Sequence, residues 1–248
     1  MYPRMLNVTL LLVALACLLA VPYARAQSTT ADRAAASDSV DGSQPITELA
    51  GERADSLFQN EYVTVMRVTL EPGEALIPHE GGARTVLSLS DYTIRFLQAA
   101  ELTEKLCEQG HVHYHEAGVH SVGNVGSTTA RFVVFERRDA ELPQAQMVSA
   151  STDLAEQAPA MQEELLSNET FDVHEVQLEP GQQIPEHTGY ARVVYALSDY
   201  TVQFTQGGEE TRQSFEEGDV HVHEAGAHTV ENAGDTPARF LVVELKTD

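Results

Sequence analysis

Slid along itself by 108 residues, the chain matches its own sequence. From Leu57 to Ala140 against Leu165 to Asp248 no gap is needed, and 41 of the 84 positions are identical. "LEPGEALIPHEGGARTVLSLSDYT" (70–93) meets "LEPGQQIPEHTGYARVVYALSDYT" (178–201). "GHVHYHEAGVHSVGNVGSTTARFVVFE" (110–136) meets "GDVHVHEAGAHTVENAGDTPARFLVVE" (218–244). A duplication of this length means one folding unit written twice, so any fold assigned must fit inside one copy.

Each copy reads as short strands. "EYVTVMRVTL" alternates apolar with polar residues and stops at Glu71-Pro72-Gly73, a turn signal. "RTVLSL" and "YTIRF" flank Ser90-Asp91, and "HVHYH" alternates with period two. "ARFVVFE" is an almost unbroken β-branched and aromatic run, the pattern of a strand buried on both faces. Pieces this short between turns this frequent predict an all-β sandwich or barrel in each copy.

The flanks differ in composition. Residues 1–26 carry one early cation, Arg4, an apolar run from Leu6 to Ala20 and a closing Ala24-Arg25-Ala26. This is the pattern of a secretory signal peptide cut before Gln27, and the apolar run is shorter than the roughly 20 residues that span a bilayer. The mature chain is then expected to be secreted or periplasmic, with no membrane partner. Residues 27–55, small and polar, read as a flexible lead-in. The first unit is assigned to 56–140, a linker to 141–163 with a short helix near Thr152–Gln157, and the second unit to 164–248. Cleavage would remove Cys17 and leave Cys107, so no internal disulfide is expected. Cys107 aligns with Phe215 and reads as an apolar core residue. The full chain has a formal net charge of −23, which disfavours nucleic acid as a partner and suits a saline milieu.

The two repeated stretches resemble the two motifs of the cupin superfamily. Gly218-Asp219, Gly226, His228 and Asn232 match the second motif, as do Gly110, Gly118, His120 and Asn124. The tail "HTVENAGDTPARFLVVELK" is similar to small cupins such as those of β-alanine catabolism. The resemblance implies two tandem jelly-roll β-barrels joined by a linker, a bicupin, with the barrels paired about a pseudo-two-fold axis inside one molecule. It does not imply one activity, because the fold hosts many. Many cupins hold a metal with His-x-His and Glu from the first motif and His from the second. Here His79 and His187 align with the second histidine of that pair, Ile77 and Pro185 with the first, and Arg84 and Arg192 with the glutamate. The usual ligand set is broken in the same way twice.

Four histidines recur in each copy: His79, His113, His115 and His120 match His187, His221, His223 and His228, whereas His111 and His174 have no histidine counterpart. On a strand, residues i and i+2 share a face, so His113 and His115 point one way and Val112 and Tyr114 the other. With the histidine face inward, the rings could hold a divalent transition metal, Zn, Mn, Fe, Ni or Cu. With the valine face inward, no such site exists. Arg84 and Arg192 disfavour a simple metal centre, because a guanidinium beside a divalent cation is repelled. Turned inward they would bind a small anionic molecule through carboxylate or phosphate, and turned outward they would pair with surface acids. Glu116 and Glu224 are expected on the face opposite His115 and His223. Asn124 and Asn232 read as turn-closing residues. No nucleophile, triad or phosphate loop supports a particular reaction. Three functions stand: a metal-binding bicupin, a metal-free binding module for a small anion, or a non-catalytic structural protein.

Overall fold

A computed structural model describes residues 51–142 and 154–246. The expected signal peptide, most of the lead-in and the middle of the linker lie outside the described residues. A short 3-10 turn at Gly51–Arg53 leads into the first copy, which forms β1 (Ala54–Gln59), β2 (Val63–Leu70), β3 (Ala75–Gly81), β4 (Arg84–Ser88), β5 (Tyr92–Gln98), β6 (Glu101–Cys107), β7 (Val112–His115), β8 (Gly118–Asn124) and β9 (Ala130–Arg137). A one-turn helix α1 (Leu154–Gln157) precedes the second copy. That copy forms β10 (Gln162–Ser167), β11 (Phe171–Leu178), β12 (Gln183–Gly189), β13 (Arg192–Ala196), β14 (Tyr200–Gln206), β15 (Glu209–Phe215), β16 (Val220–His223), β17 (Gly226–Asn232) and β18 (Ala238–Leu245). The strands β1 and β10 each start two residues inside the stretches read as lead-in and linker. Both are edge strands whose ladder partners, β2 and β11, lie further along the chain.

Each copy folds as two facing antiparallel sheets. The first has a five-stranded sheet in the order β1-β2-β9-β4-β7 and a four-stranded sheet in the order β3-β8-β5-β6. The second repeats this as β10-β11-β18-β13-β16 and β12-β17-β14-β15. The predicted all-β class and tandem barrels are what the chain adopts.

The strand alternation explains the three cores. On β9, Phe132 and Val134 face the interior of the first barrel, where they meet Met66, Val68, Val86 and Ile94. The alternate residues Val133 and Phe135 face outward, yet they are also fully buried. They pack with Val63, Val65, Leu87 and Val112 against Phe171, Val173, Val193, Tyr195, Leu241 and Val243 of the second copy. The two five-stranded sheets thus share an apolar core between the barrels. The aromatic pairs Phe135–Tyr195 and Tyr114–Phe171 cross it, each with ring centroids 6.2 Å apart. Pairing of the barrels within the molecule is therefore a feature of the structure. The interior of the second barrel is built from Val176, Leu178, Ile184, Val194, Val202, Phe240 and Val242, closed at one side by Leu154 and Ala158.

Asn124 and Asn232 close the turns after β8 and β17. Each amide donates to two carbonyls, Leu70 and Thr128 for Asn124 and Leu178 and Thr236 for Asn232. Each side-chain oxygen accepts from the glycine two residues on. Gly118 and Gly226 start β8 and β17 at φ values of 137° and 147°, which side chains rarely adopt.

Candidate functional site

The direction of the histidine face follows from register. On β7, His113 lies opposite Val86 of β4, and Val86 lies opposite Val134 of β9. Val86 and Val134 belong to the barrel interior, so His113 and His115 point inward. The other face of β7 is covered too: Val112 packs in the core between the barrels, and Tyr114 packs against it. On β16, His221 and His223 lie opposite Val194 and Arg192 and point inward in the same way.

One row of side chains crosses the five-stranded sheet of each barrel. In the first it runs His115, Arg84, Glu136, and in the second His223, Arg192, Glu244. Facing this row from the opposite sheet is a histidine pair. His79 and His120 are direct strand partners with ring centroids 4.2 Å apart, and His187 and His228 match them at 4.1 Å. Phe96 and Phe204 line the same space beside His115 and His223, with centroids 4.2 Å and 4.4 Å away.

A bulge puts the first histidine of each pair in place. The β3–β8 register slips between Leu76 and His79, and the β12–β17 register slips between Ile184 and His187. Leu76 and His79 therefore both face inward, while Ile77 is 48% exposed. This corrects the motif alignment: Ile77 is not the missing ligand position. The inward neighbour of His79 on its strand is Gly81. A Cβ built there would lie 2.8 Å from His120 Cε1 and 3.0 Å from a Glu136 carboxylate oxygen. At Gly189 it would lie 2.7 Å from Glu244 Oε1 and 3.1 Å from Arg192 Nη1. These glycines leave room for the arginine and its neighbours to close over the pair.

Both arginines are turned inward, only 3% and 4% exposed. One arm of each is anchored: Arg84 Nη1 donates to the carbonyls of Gly82 and Glu116, and Arg192 Nη1 to those of Tyr190 and Glu224. The other arm, Nη2, is buried in each case with no hydrogen-bond partner. The guanidinium carbons lie 5.8 Å and 5.9 Å from the Phe96 and Phe204 ring centres, where the aromatic face favours a cation. Burial lowers both pKa values to about 10, and Glu136 and Glu244 counter this, so both arginines stay charged at neutral pH.

Seven of the eight recurring histidines, His79, His113, His115, His120, His221, His223 and His228, are held neutral. Burial is the largest cause and the nearby guanidinium adds to it. His120 and His223 are held near 3 and His115 near 4, with His79 and His228 also lowered. His113 is held near 3 and His221 near 4, again mainly by burial. The tautomer of each pair is set by its bonds. Nδ1 of His79, His120, His187 and His228 donates to the carbonyls of Ile77, Gly118, Pro185 and Gly226. A carbonyl can only accept, so the proton sits on Nδ1 and each Nε2 carries the lone pair.

The barrels differ in space. The cavity of the second is about 220 Å³ and that of the first about 40 Å³, room for little more than water. Met66 lines the first cavity. Its counterpart His174 does not line the second, and its Nδ1 is bonded to Gln162 instead.

A separate cluster lies at the start of β7. Cys107, His111 and His113 bring one ligand atom each to within 4.8 Å of one another, and among the described residues this is the one such group that could hold a metal ion.

All eight recurring histidines and both arginines thus line the barrel interiors. Glu116 and Glu224 are exposed, as expected from alternation. Sequence reasoning missed Glu136, Glu244, Phe96, Phe204, Gly81 and Gly189. Each recurs in both copies, and period-two counting from Phe132 and Phe240 would have turned the two glutamates inward.

No family model matches the sequence, and neither does any curated protein. Solved structures match its shape. A single-site variant of oxalate decarboxylase from Bacillus subtilis superposes with a TM-score of 0.57 at 15% identity, covering 78% of this chain and 72% of that one. Another structure of that enzyme, described for its Mn(II) centres, gives 0.54 at 16% identity over 76% and 70%. AerE from Microcystis aeruginosa gives 0.55 at 14% identity over 77% and 96%. The doubled barrel, the shared core and these superpositions together show that the chain has a bicupin fold, two cupin-like barrels in one molecule.

Proposed function

We propose that the protein binds a small organic anion in its second barrel. The observation that carries this reading is Arg192: a charged guanidinium 4% exposed, one arm pinned to carbonyls and Nη2 without a partner, at the wall of a cavity of about 220 Å³. A buried donor of this kind costs free energy until an anion meets it. Val176, Ile184, Val202, Phe204, Phe215 and Phe240 line the same space, so the body of the ligand is apolar. The Nε2 atoms of His187 and His228 are acceptors in this tautomer, which suits a ligand hydroxyl or amino group. The chemistry points to a small carboxylate bearing such a donor. The first barrel has the same groups but a cavity too small for such a molecule, and serves as the structural partner. The chain is further proposed to be exported, on the pattern of residues 1–26.

Calorimetry with a panel of small hydroxy and amino carboxylates tests the reading. Binding at one site per chain is expected, lost in Arg192→Gln and kept in Arg84→Gln. A panel with no binder, or equal binding by Arg192→Gln, would overturn it.

A second reading is favoured by the tautomers. Histidines that bind metal commonly donate their other N–H to a carbonyl, as all four pair members do here. Bacillus subtilis oxalate decarboxylase has Mn(II) centres. A divalent ion held by His79 with His120, or by His187 with His228, would sit near a guanidinium and find a glycine where a third side chain would project. This donor set fits a cation poorly. The two readings separate on one variant: Arg192→Gln weakens anion binding, but strengthens metal binding at the pair.

A further inference from the structure

We infer that the first barrel carries a soft-metal site of its own, made by the Cys107 thiolate and the imidazoles of His111 and His113, with copper or zinc as the ion it takes. The site adjoins the Arg84 row, with the His113 and His115 rings 4.9 Å apart, but uses other donors and does not depend on the anion reading.

The first argument is geometric. Cys107 closes β6, His111 follows the turn, and His113 is on β7, so the β6–β7 connection folds three donors onto one point. Their ligand atoms lie within 4.8 Å of one another. The rings of His111 and His113 stack with centroids 5.3 Å apart and planes 24° from parallel.

The second argument is an unmet need. Nδ1 of His111 and Nδ1 of His113 are both buried and neither has a hydrogen-bond partner. Buried polar atoms without partners are rare, and each calls for an explanation. A metal ion supplies one for both.

The third comes from the other copy, which solves the same corner without a metal. Where the first barrel has Ser88, Cys107 and His111, the second has Ala196, Phe215 and Asp219. There His221, the counterpart of His113, stacks on Phe215 at 3.9 Å with the rings 12° from parallel. Its Nε2 is bonded to Tyr200 Oη at 3.1 Å and its Nδ1 to His223 at 2.9 Å. Both nitrogens are satisfied. In the first barrel the equivalent hydroxyl, Tyr92 Oη, is bonded to Ser88 instead. Three substitutions at one corner thus free His113 and add a thiol and a second imidazole beside it.

The donor set defines the ion. One sulfur and two neutral nitrogens select copper and zinc over magnesium, calcium and manganese, which prefer oxygen. Binding replaces the S–H bond with a metal–sulfur bond and releases the thiol proton to solvent. Burial favours the thiol over the thiolate in the metal-free protein, while the Tyr92 hydroxyl and, less strongly, the Lys105 charge favour the thiolate. The two imidazoles are neutral and need lose no proton. A water molecule can complete a tetrahedral zinc site.

Cobalt(II), a coloured stand-in for zinc, provides the test. Full-length protein stripped with a chelator should bind it, with a thiolate-to-cobalt charge-transfer band that saturates at one equivalent. Zinc or cuprous ion should displace the cobalt. Cys107→Phe and His111→Asp each restore the residue that the second barrel accommodates, so both are expected to fold, checked by circular dichroism. Both should lose the saturating band, and Arg192→Gln should keep it. Absence of a thiolate band in the wild type, or a band undiminished in folded His111→Asp, would overturn the assignment.

Discussion

Acidification should unfold this protein through its buried histidines, and the size of the effect can be worked from two of them. His120 and His228 are 5% and 3% exposed. Burial and the adjacent guanidinium hold His120 near 3 and lower His228 further, against 6.5 for an unperturbed imidazole. The folded pKa lies below the unfolded one, so below pH 6.5 the unfolded chain binds more protons. The stability is complete above 6.5 and is lost as pH falls toward about 3. At pH 4.5, two pH units below the unfolded pKa, each neutral histidine costs roughly 3 kcal/mol, and the two together on the order of 5 kcal/mol. That is as large as the whole stability of a marginal domain. An opposing effect acts at the same time. The chain has a net charge of −23 at pH 7, and acid relieves repulsion among the exposed carboxylates. The assay is urea unfolding at pH 7.5 and 4.5 with a chelator present, on wild type and the double variant His120→Gln/His228→Gln. The comparison is the change in stability between the two pH values, which cancels any fixed cost of the substitutions. Wild type should lose on the order of 5 kcal/mol more than the variant, because the other buried histidines contribute to both alike. A wild type whose stability is flat or rises down to pH 4.5 would refute the reasoning and show that surface repulsion dominates.

Three further outcomes follow from packing. Met66→Ala should enlarge the 40 Å³ cavity of the first barrel and cost about 2–5 kcal/mol, read by denaturant titration; an unchanged midpoint would mean that the cavity collapses. Phe135→Ala, in the core between the barrels, should cost about 3–5 kcal/mol and split the single unfolding transition into two, because Phe135 is fully buried against Tyr195 of the other copy. Gly189→Ala should cost about 1–3 kcal/mol and weaken ligand binding in calorimetry, since its Cβ would press on Glu244 and Arg192. The equivalent change at the exposed, contact-free Gly110 should leave binding intact, although its φ of 83° strains the turn.

The local pattern explains why so much of the fold was legible. Period-two alternation, Pro-Gly turns and the 108-residue offset are properties of neighbouring residues and of a sequence compared with itself. They define strands, turns and two equal units without any long-range contact. Which residues share a face was legible for the same reason: His113 with His115, and Val112 with Tyr114. Which face turned inward was not. Filling a core with valine is the cheaper choice for a lone barrel, and that argument would have put His113 and His115 outside. It fails because Val112 also enters a core, the one formed between the barrels with Phe171, Val193 and Leu241. Only association of the two copies makes both faces of β7 interior. The partners of Arg84 and Arg192 were hidden likewise, since Glu136 and Glu244 lie 52 positions further along the chain and meet them only through strand register. The bulge that exposes Ile77 and turns in Leu76 and His79 is a register slip, visible only once β3 is laid against β8. By itself the sequence determined the doubled unit, its strands and the inventory of imidazoles and guanidinia. Tertiary structure decided which of those groups are buried, which nitrogens are left without partners, and which barrel has room for a ligand. Those properties depend on what lies across the barrel rather than on what lies next in the chain.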